Sequence, residues 1–477
     1  MKNIFKNRRG NLTLQVIIFG GLVIILASGF VLWSVTMLNL SLRNFHRALA
    51  FSVAEAGIEY YRWHLAHAPT DFEDGTGHPG PFTHDYYDRN GNLLGQFILD
   101  ISPSTGSSTI ITIQSTGHVA ADPSIEKIIL VKLGIPTLAQ YEVASNDNLS
   151  FGTGTEVFGQ IRSNGGIHFD GLAHNLVESA QATYADPDYN EPSVFGVYTR
   201  VNPKDPYPPT STPNRPDVFI SGRQFPVPAL DFAGLTLNLA SLQTQASSSG
   251  VYASSSGALG YNLIFNASGT YSLYQVTVLK NIAPKPHCSN DYNQSGWGSW
   301  SIQVKKFIKS GPIPANGIFF FNDNVWVSGN INNYRVTIGS GVFPDNAATR
   351  TSITVNDSLT YTNYNGSDAV ALVAQKDINV GLVSDDTLRI DGALLAQNGR
   401  VGRFYYGDAC NPNNGIRTKL TNYGMIVTNN RYVFNYPDGS GYQSQELIYD
   451  SNLLYNPPPG FPLTGNEYVQ VFWQEVK

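Results

Sequence analysis

The chain has 477 residues, a formal net charge of -6 and only 14% charged residues, against about 25% in an ordinary soluble protein. Glycine (45), proline (27), tyrosine (26) and phenylalanine (25) are abundant, the profile of an extracellular, turn-rich β protein of two or three domains. The acidic balance and the lack of a dense Lys/Arg run beyond the first residues exclude broad nucleic-acid binding.

Lys2, Lys6, Arg8 and Arg9 precede a stretch from Val16 to Leu40 that contains no charge. Twenty-five helical residues at ~1.5 Å each span ~37 Å, enough to cross a hydrocarbon core of ~30 Å with some tilt. Val16, Leu22, Leu26, Val31 and Leu38 are the apolar landmarks of this membrane segment. The basic cluster before it predicts a cytoplasmic N-terminus and an external location for everything after Leu40. The helical pattern continues through Phe45, Leu49, Val53, Ala56, Tyr60 and Trp63, with no proline before Pro69, so one helix from about residue 11 to 66 is expected. His46, His64 and His67, without ligand-spaced partners, read as interfacial and not as a metal site.

The basic leader ending at Gly10, followed by Asn11 and a helix apolar in its first half and amphipathic in its second, resembles a type IV pilin precursor. The block Ala54-Glu55-Ala56-Gly57-Ile58 is similar to the PilX-type N-terminal module of minor pilins and pilus-assembly proteins. The resemblance implies cleavage after Gly10 by a prepilin peptidase and methylation of Asn11. It also implies insertion by an inner-membrane assembly platform and packing against other pilins, first in the membrane and then in an extracellular filament. Two positions depart from the family: Asn11 stands where an aromatic or Met is usual, and Gln15 where Glu is usual. A neutral amide cannot form the ion pair that the glutamate makes, though it can accept a hydrogen bond, which suits a non-major subunit.

Residues 67–136 are expected to form a small pilin-like antiparallel sheet. Residues 68–92 read as a loop, with Asp88–Asn92 a hairpin turn and not a calcium loop, because no acid closes it. Strands are expected over residues 95–101, 108–114 and 126–133, with one sheet face against the helix.

From residue 137 a loose motif recurs: a glycine, an aliphatic two positions on, an asparagine corner, then another strand. It reads Gly159/Ile161/Asn164, Gly329/Ile331/Asn332, Gly392/Leu394/Asn398 and Gly424/Ile426/Asn429. Aliphatics stacking from coil to coil with Asn/Gly corners predict a parallel, solenoid-like body; a sandwich or barrel is the alternative. The fold class is therefore α+β, then mostly β. The body is expected to begin at 137–184, break at 185–315 and resume over 316–477. Within 185–315, the prolines of residues 185–228 exclude a regular ladder, Leu235, Leu239 and Leu242 suit a short helix, and residues 261–265 and 271–279 a hairpin. The lysines of residues 305–309, with Trp297 and Trp300, form either a ligand patch or a structural loop. The distal prolines, Pro457-Pro458-Pro459-Gly460-Phe461-Pro462, resemble the end of large PilX-type proteins.

The two cysteines, Cys288 and Cys410, lie beyond the membrane on this topology, where an oxidising compartment makes one disulfide the expected pairing. Asp377, Asp385, Asp386 and Asp391 cluster in sequence but read as solvated corners and not as a paired glycosidase site. No phosphate loop or nucleophile–base pattern occurs, so neither catalysis nor a cofactor is expected. The leading expectation is a non-enzymatic minor pilin-like subunit that displays its β-rich part for assembly, priming or adhesion. A membrane-anchored surface protein with a carbohydrate-binding or carbohydrate-degrading solenoid is the alternative.

Overall fold

A computed structural model describes residues 12–104, 108–232, 239–281, 296–407, 413–436, 438–461, 463 and 467–476. The chain divides into two compact units. The first comprises residues 1–103, 111–134 and 467–477, and the second residues 104–110 and 135–466.

The first unit is one helix on one sheet. Helix α1 (Leu12–His67) runs unbroken for 56 residues, about 84 Å, and stops ahead of Pro69. Its buried residues Ala50, Val53, Ala54, Gly57, Ile58, Tyr61 and Leu65 recur at three and four residues, the stripe of a helix with one covered face. Strands β1 (Phe82–Tyr87), β2 (Leu93–Ser102), β3 (Ile110–Val119) and β4 (Asp122–Gly134) form an antiparallel sheet in that order. Phe97, Leu99, Ile111, Ile113, Ile129, Val131 and Leu133 point inward at every second position and close on the helix stripe. The Asp88 carboxylate accepts the Asn90 and Asn92 amides, both at 2.8 Å, and so turns β1 into β2.

Two features of this unit differ from the sequence reading. The span 68–92 is not all loop: β1 lies within it, with Phe82 buried and His84 and Tyr86 on the same side. The last segment does not belong to the distal body. The C-terminal strand Val469–Val476 pairs antiparallel with β4, Gln474 opposite Leu130, and completes a five-stranded sheet. Its partner is more than 330 residues away in sequence, and no local signal marks such a pairing.

The second unit is a stack of short parallel strands. One column of register partners runs Val251, Phe319, Ile338, Leu372, Leu394, Ile426, Val143, Ile161 and Val177. All nine side chains are buried in one interior cluster. Polar side chains continue the stack at the corner: Asn146 donates to Asn429 (3.0 Å) and Asn164 donates to Asn146 (2.8 Å). Gly392 and Gly424 face each other in register with φ of +145° and +155°. A Cβ on Gly424 would lie 2.1 Å from the Gly392 carbonyl oxygen, so only glycine fits there.

Stack order is not chain order. The chain enters the column in its middle at Val143 and advances through Ile161 and Val177. It then re-enters at the other end at Val251 and returns until Ile426 pairs with Val143. The outer side of the column is covered too: helix α2 (Leu239–Ser249) sets Leu239, Leu242 and Ala246 in a second cluster with Ala371, Leu395 and Val427. Burial on both faces explains why Ala369–Ala374 is apolar without alternation.

The proline-rich span is more ordered than a linker. Thr183–Asp186 pairs with Glu191–Phe195 as a hairpin, and Val197–Tyr198 and Arg223–Gln224 each add a parallel rung to the stack. Prolines exclude long strands but leave room for two-residue rungs between them. The lysines Lys305, Lys306 and Lys309 lie on strand Ile302–Pro312, not on a loop, and that strand is antiparallel to Thr270–Leu279. Trp297 and Trp300 spend their indole N–H groups on the carbonyls of Tyr405 and Gly296, both at 3.0 Å.

Candidate functional site

The surface that most demands a partner is the first half of α1. It is the one described helix long and apolar enough to cross a membrane. Val16, Leu22, Leu26, Val31 and Leu38 are between 49% and 62% exposed, and every residue from Leu12 to Phe45 except Gly21 is exposed. A single such side chain on a surface is ordinary; three turns after three turns of them are not. Two hydroxyls within the stretch bond back onto the helix: Ser28 donates to the Ile24 carbonyl (2.7 Å) and Thr36 to that of Leu32 (2.8 Å). Such back-bonding satisfies a hydroxyl where water is absent. Nothing lies within 4 Å of a Cβ built on Gly20, Gly21 or Gly29, so nothing in the chain itself calls for glycine at these three positions.

Gln15 stands exposed on the first described turn of the helix. Gly10 and Asn11 lie outside the described residues, as do Cys288 and Cys410.

The block Ala54–Ile58 is divided by the helix. Ala54, Gly57 and Ile58 are buried against the sheet, Ala56 is half-buried and Glu55 faces out. The approach is close on both sides. A Cβ on Gly57 would stand 2.4 Å from Ser115 Oγ and 2.9 Å from the Phe97 ring. One on Gly117 of β3 would stand 2.2 Å from the Ala50 carbonyl and 2.5 Å from the Ala54 nitrogen. The small residues of the block thus set how near the helix lies to its sheet.

The end of α1 is tied down by a polar knot. The Asp71 carboxylate accepts the Glu73 and Gly75 amides (2.9 and 2.8 Å) and meets His64 (3.1 Å). The Glu73 amide, first among these, holds the Asp71 carboxyl below its ordinary range. Burial, then the Asp74 charge, pushes the Tyr60 hydroxyl up to about 12. His46 likewise has an acid partner, Asp122 at 3.8 Å, so two of the three helix histidines are paired and not merely interfacial.

The four aspartates of the distal body are braces. Asp385 accepts the Ser358 amide (2.8 Å) and hydroxyl (2.9 Å), Asp386 the Thr418 amide (3.1 Å) and hydroxyl, and Asp377 the Arg400 amide (3.0 Å). Asp391 is fully buried and accepts from the Tyr361 amide (2.9 Å), the Tyr364 hydroxyl (2.7 Å) and Arg389 (2.8 Å). Burial still pushes its carboxyl up, against those bonds. Each oxygen pattern is that of a carboxylate fixing backbone at a coil corner.

Comparison with family models gives no match, and comparison with curated proteins gives none. Among solved structures, the crystal structure of competence-associated pilin ComZ from Thermus thermophilus is similar at 12% identity and a TM-score of 0.32. The alignment covers 90% of this chain and 98% of that one. At that score the likeness assigns neither fold nor role.

Proposed function

We propose that the chain is a non-enzymatic, minor pilin-like subunit of a type IV pilus or related filament. The observation that carries this reading is the division of α1: its second half is covered by the chain's own sheet, while among the described residues every position of Leu12–Leu42 except Gly21 is exposed. A rod of that kind is stable in two surroundings, lipid and a bundle of similar rods, and a pilin passes from one to the other. The exposed glycines would then serve close helix packing in either place. The prepilin peptidase would cut after Gly10, Asn11 would be methylated, and Gln15 would accept a hydrogen bond where major pilins place an acid. The β-rich second unit, 332 residues from 135 to 466 in its main run, would be displayed outside for assembly, priming or adhesion. Its bulk favours low copy number or a tip position.

N-terminal mass measurement on protein recovered from envelopes and from sheared filaments tests the proposal. A mature chain beginning at methylated Asn11 and present in the filament fraction is expected. An intact N-terminus found only in the membrane fraction would leave a single-pass anchored surface protein.

A further inference from the structure

The strand Ile302–Pro312 lies at a sheet edge and is slightly held by its backbone. Among the described residues it pairs only with Thr270–Leu279, with three breaks in register, and residues 303–310 are all exposed. One of its side chains reaches past that partner strand. Lys305 lies opposite Val276, passes over the Tyr274 ring with Nζ 4.5 Å from its centroid, and donates to Asn262 Oδ1 at 2.7 Å. Asn262 belongs to the strand Gly260–Asn266, which stands in parallel register with Val325–Ile331 of the stack.

The contact has the geometry of two groups close to reaction. Asn262 is 4% exposed, and its Nδ2 donates to the Trp326 carbonyl (3.2 Å), which settles that Oδ1 faces the lysine. A C=O bond is about 1.23 Å long, so Asn262 Cγ lies within about 4 Å of Nζ, near the roughly 3–3.5 Å of a reacting pair. Burial, opposed by the Asp357 charge, holds the Lys305 ammonium below its ordinary value, which favours the free amine. Asp357 and Asn262 line one cavity of about 130 Å³ with Ser301, Ile302 and Trp326. Burial, then the Asp385 charge, pushes the Asp357 carboxyl up and keeps a proton at the cavity wall.

We propose that Lys305 and Asn262 join in an intramolecular isopeptide bond. The lone pair of the neutral Nζ attacks Cγ, an Nζ proton passes to Nδ2 through the Asp357 carboxyl, and Nδ2 leaves as ammonia. The Nζ–Cγ bond replaces the Cγ–Nδ2 bond. One amide is consumed and one is formed, so the step needs no oxidant and no outside reactant. The reaction runs once per chain. It fastens the edge strand to the stack across the strand between them, and it does not depend on entry into a filament.

Mass spectrometry of the full chain purified in detergent micelles, whole and after trypsin, tests this. The peptides holding Asn262 and Lys305 are expected as one linked species, about 17 Da lighter than their sum, with cleavage after Lys305 lost. Lys305→Arg should abolish the linked species. Asp357→Asn should slow linking by about a hundredfold or more, seen as unlinked chain in freshly made protein. Matching far-ultraviolet circular dichroism shows that both variants are folded. Separate peptides of full mass from the folded wild-type chain would overturn the proposal. So would the same mass loss persisting in Lys305→Arg, since an Asn–Gly step can lose ammonia to its own backbone, or full linkage in fresh Asp357→Asn.

Discussion

The two units bury their apolar residues by opposite means. In the first, an amphipathic helix stripe meets an alternating sheet face, so the strands have one wet and one dry side: in β2, Gln96 and Asp100 face out while Gly95, Phe97 and Leu99 face in. In the second, a column strand such as Ala369–Ala374 is dry on both sides, with Leu372 in the interior cluster and Ala371 and Val373 in the outer one. The first is a two-layer packing set by helix-to-sheet distance; the second is a column set by side-chain stacking from coil to coil. Damage to one should therefore be sensed as loss of contact at a plane, and to the other as a gap in a line.

The largest effect is expected from a gap in the line. Phe319 is fully buried in the column and lies against Phe265 and Tyr271, with ring centroids 5.3 and 5.2 Å away. Phe319→Ala should destabilise the second unit by about 3–5 kcal/mol, read as earlier urea unfolding of that unit alone. The plane is tested next. Gly117→Val places methyl groups where the α1 backbone already lies, and should cost the first unit about 1–3 kcal/mol. Proteolysis should then release fragments cut within 82–134 while the second unit resists. Loss of both units together in either variant would show that the division is wrong.

This contrast also separates what the sequence made legible from what it hid. Helix α1 could be read because charge, proline and period agree over residues 12–67, and the hairpin Gly260–Leu279 because Asn266–Gly269 punctuates it. The recurring motif located column residues Ile161, Leu394 and Ile426. Its order could not be read, since the joint of Ile426 with Val143 closes a gap of 283 residues that no spacing rule covers. β1 was hidden by polar residues on its outer face, and the final strand by distance. At the candidate sites, the role of Ala54 and Gly57 as spacers needed the opposing Phe97, Ser115 and Gly117.

A third test turns on protons. Glu142 sits fully buried at that joint, accepting the Gly159 amide through Oε2 (2.9 Å), while Oε1 has no hydrogen-bond partner among the described residues. Burial raises its carboxyl well above the ordinary 4.5, and burial also raises Asp357, Asp391 and Asp450 of the same unit. The folded state then holds protons that the unfolded state has released, so stability falls as pH rises from about 4.5 toward the raised value. Each such proton contributes at most about 1.4 kcal/mol per pH unit. In the first unit the shifted carboxyls, Asp71, Asp85, Asp88 and Asp122, are all lowered, and their contribution is lost only in acid. Melting between pH 5 and 8 should show the second unit's transition falling and Glu142→Gln flattening it. An equal slope in wild type and variant would remove Glu142 from the account.

The smallest effect tests the least expected element. The strand Val469–Val476 is mostly exposed, and at its far end Glu475 meets Lys127 of β4 in a half-exposed ion pair. Such a pair contributes about 0.2–1 kcal/mol, too little to move a melting curve clearly. Its removal should nonetheless be visible locally, because an edge strand opens without unfolding the sheet behind it. In Lys127→Met the amides of residues 473–476 should exchange faster, while those of β2 and β3 keep their protection and adding Glu475→Met brings little further change. If residues 469–476 exchange freely in the unmodified chain, the sheet ends at β4, and the first unit closes without any help from the C-terminus.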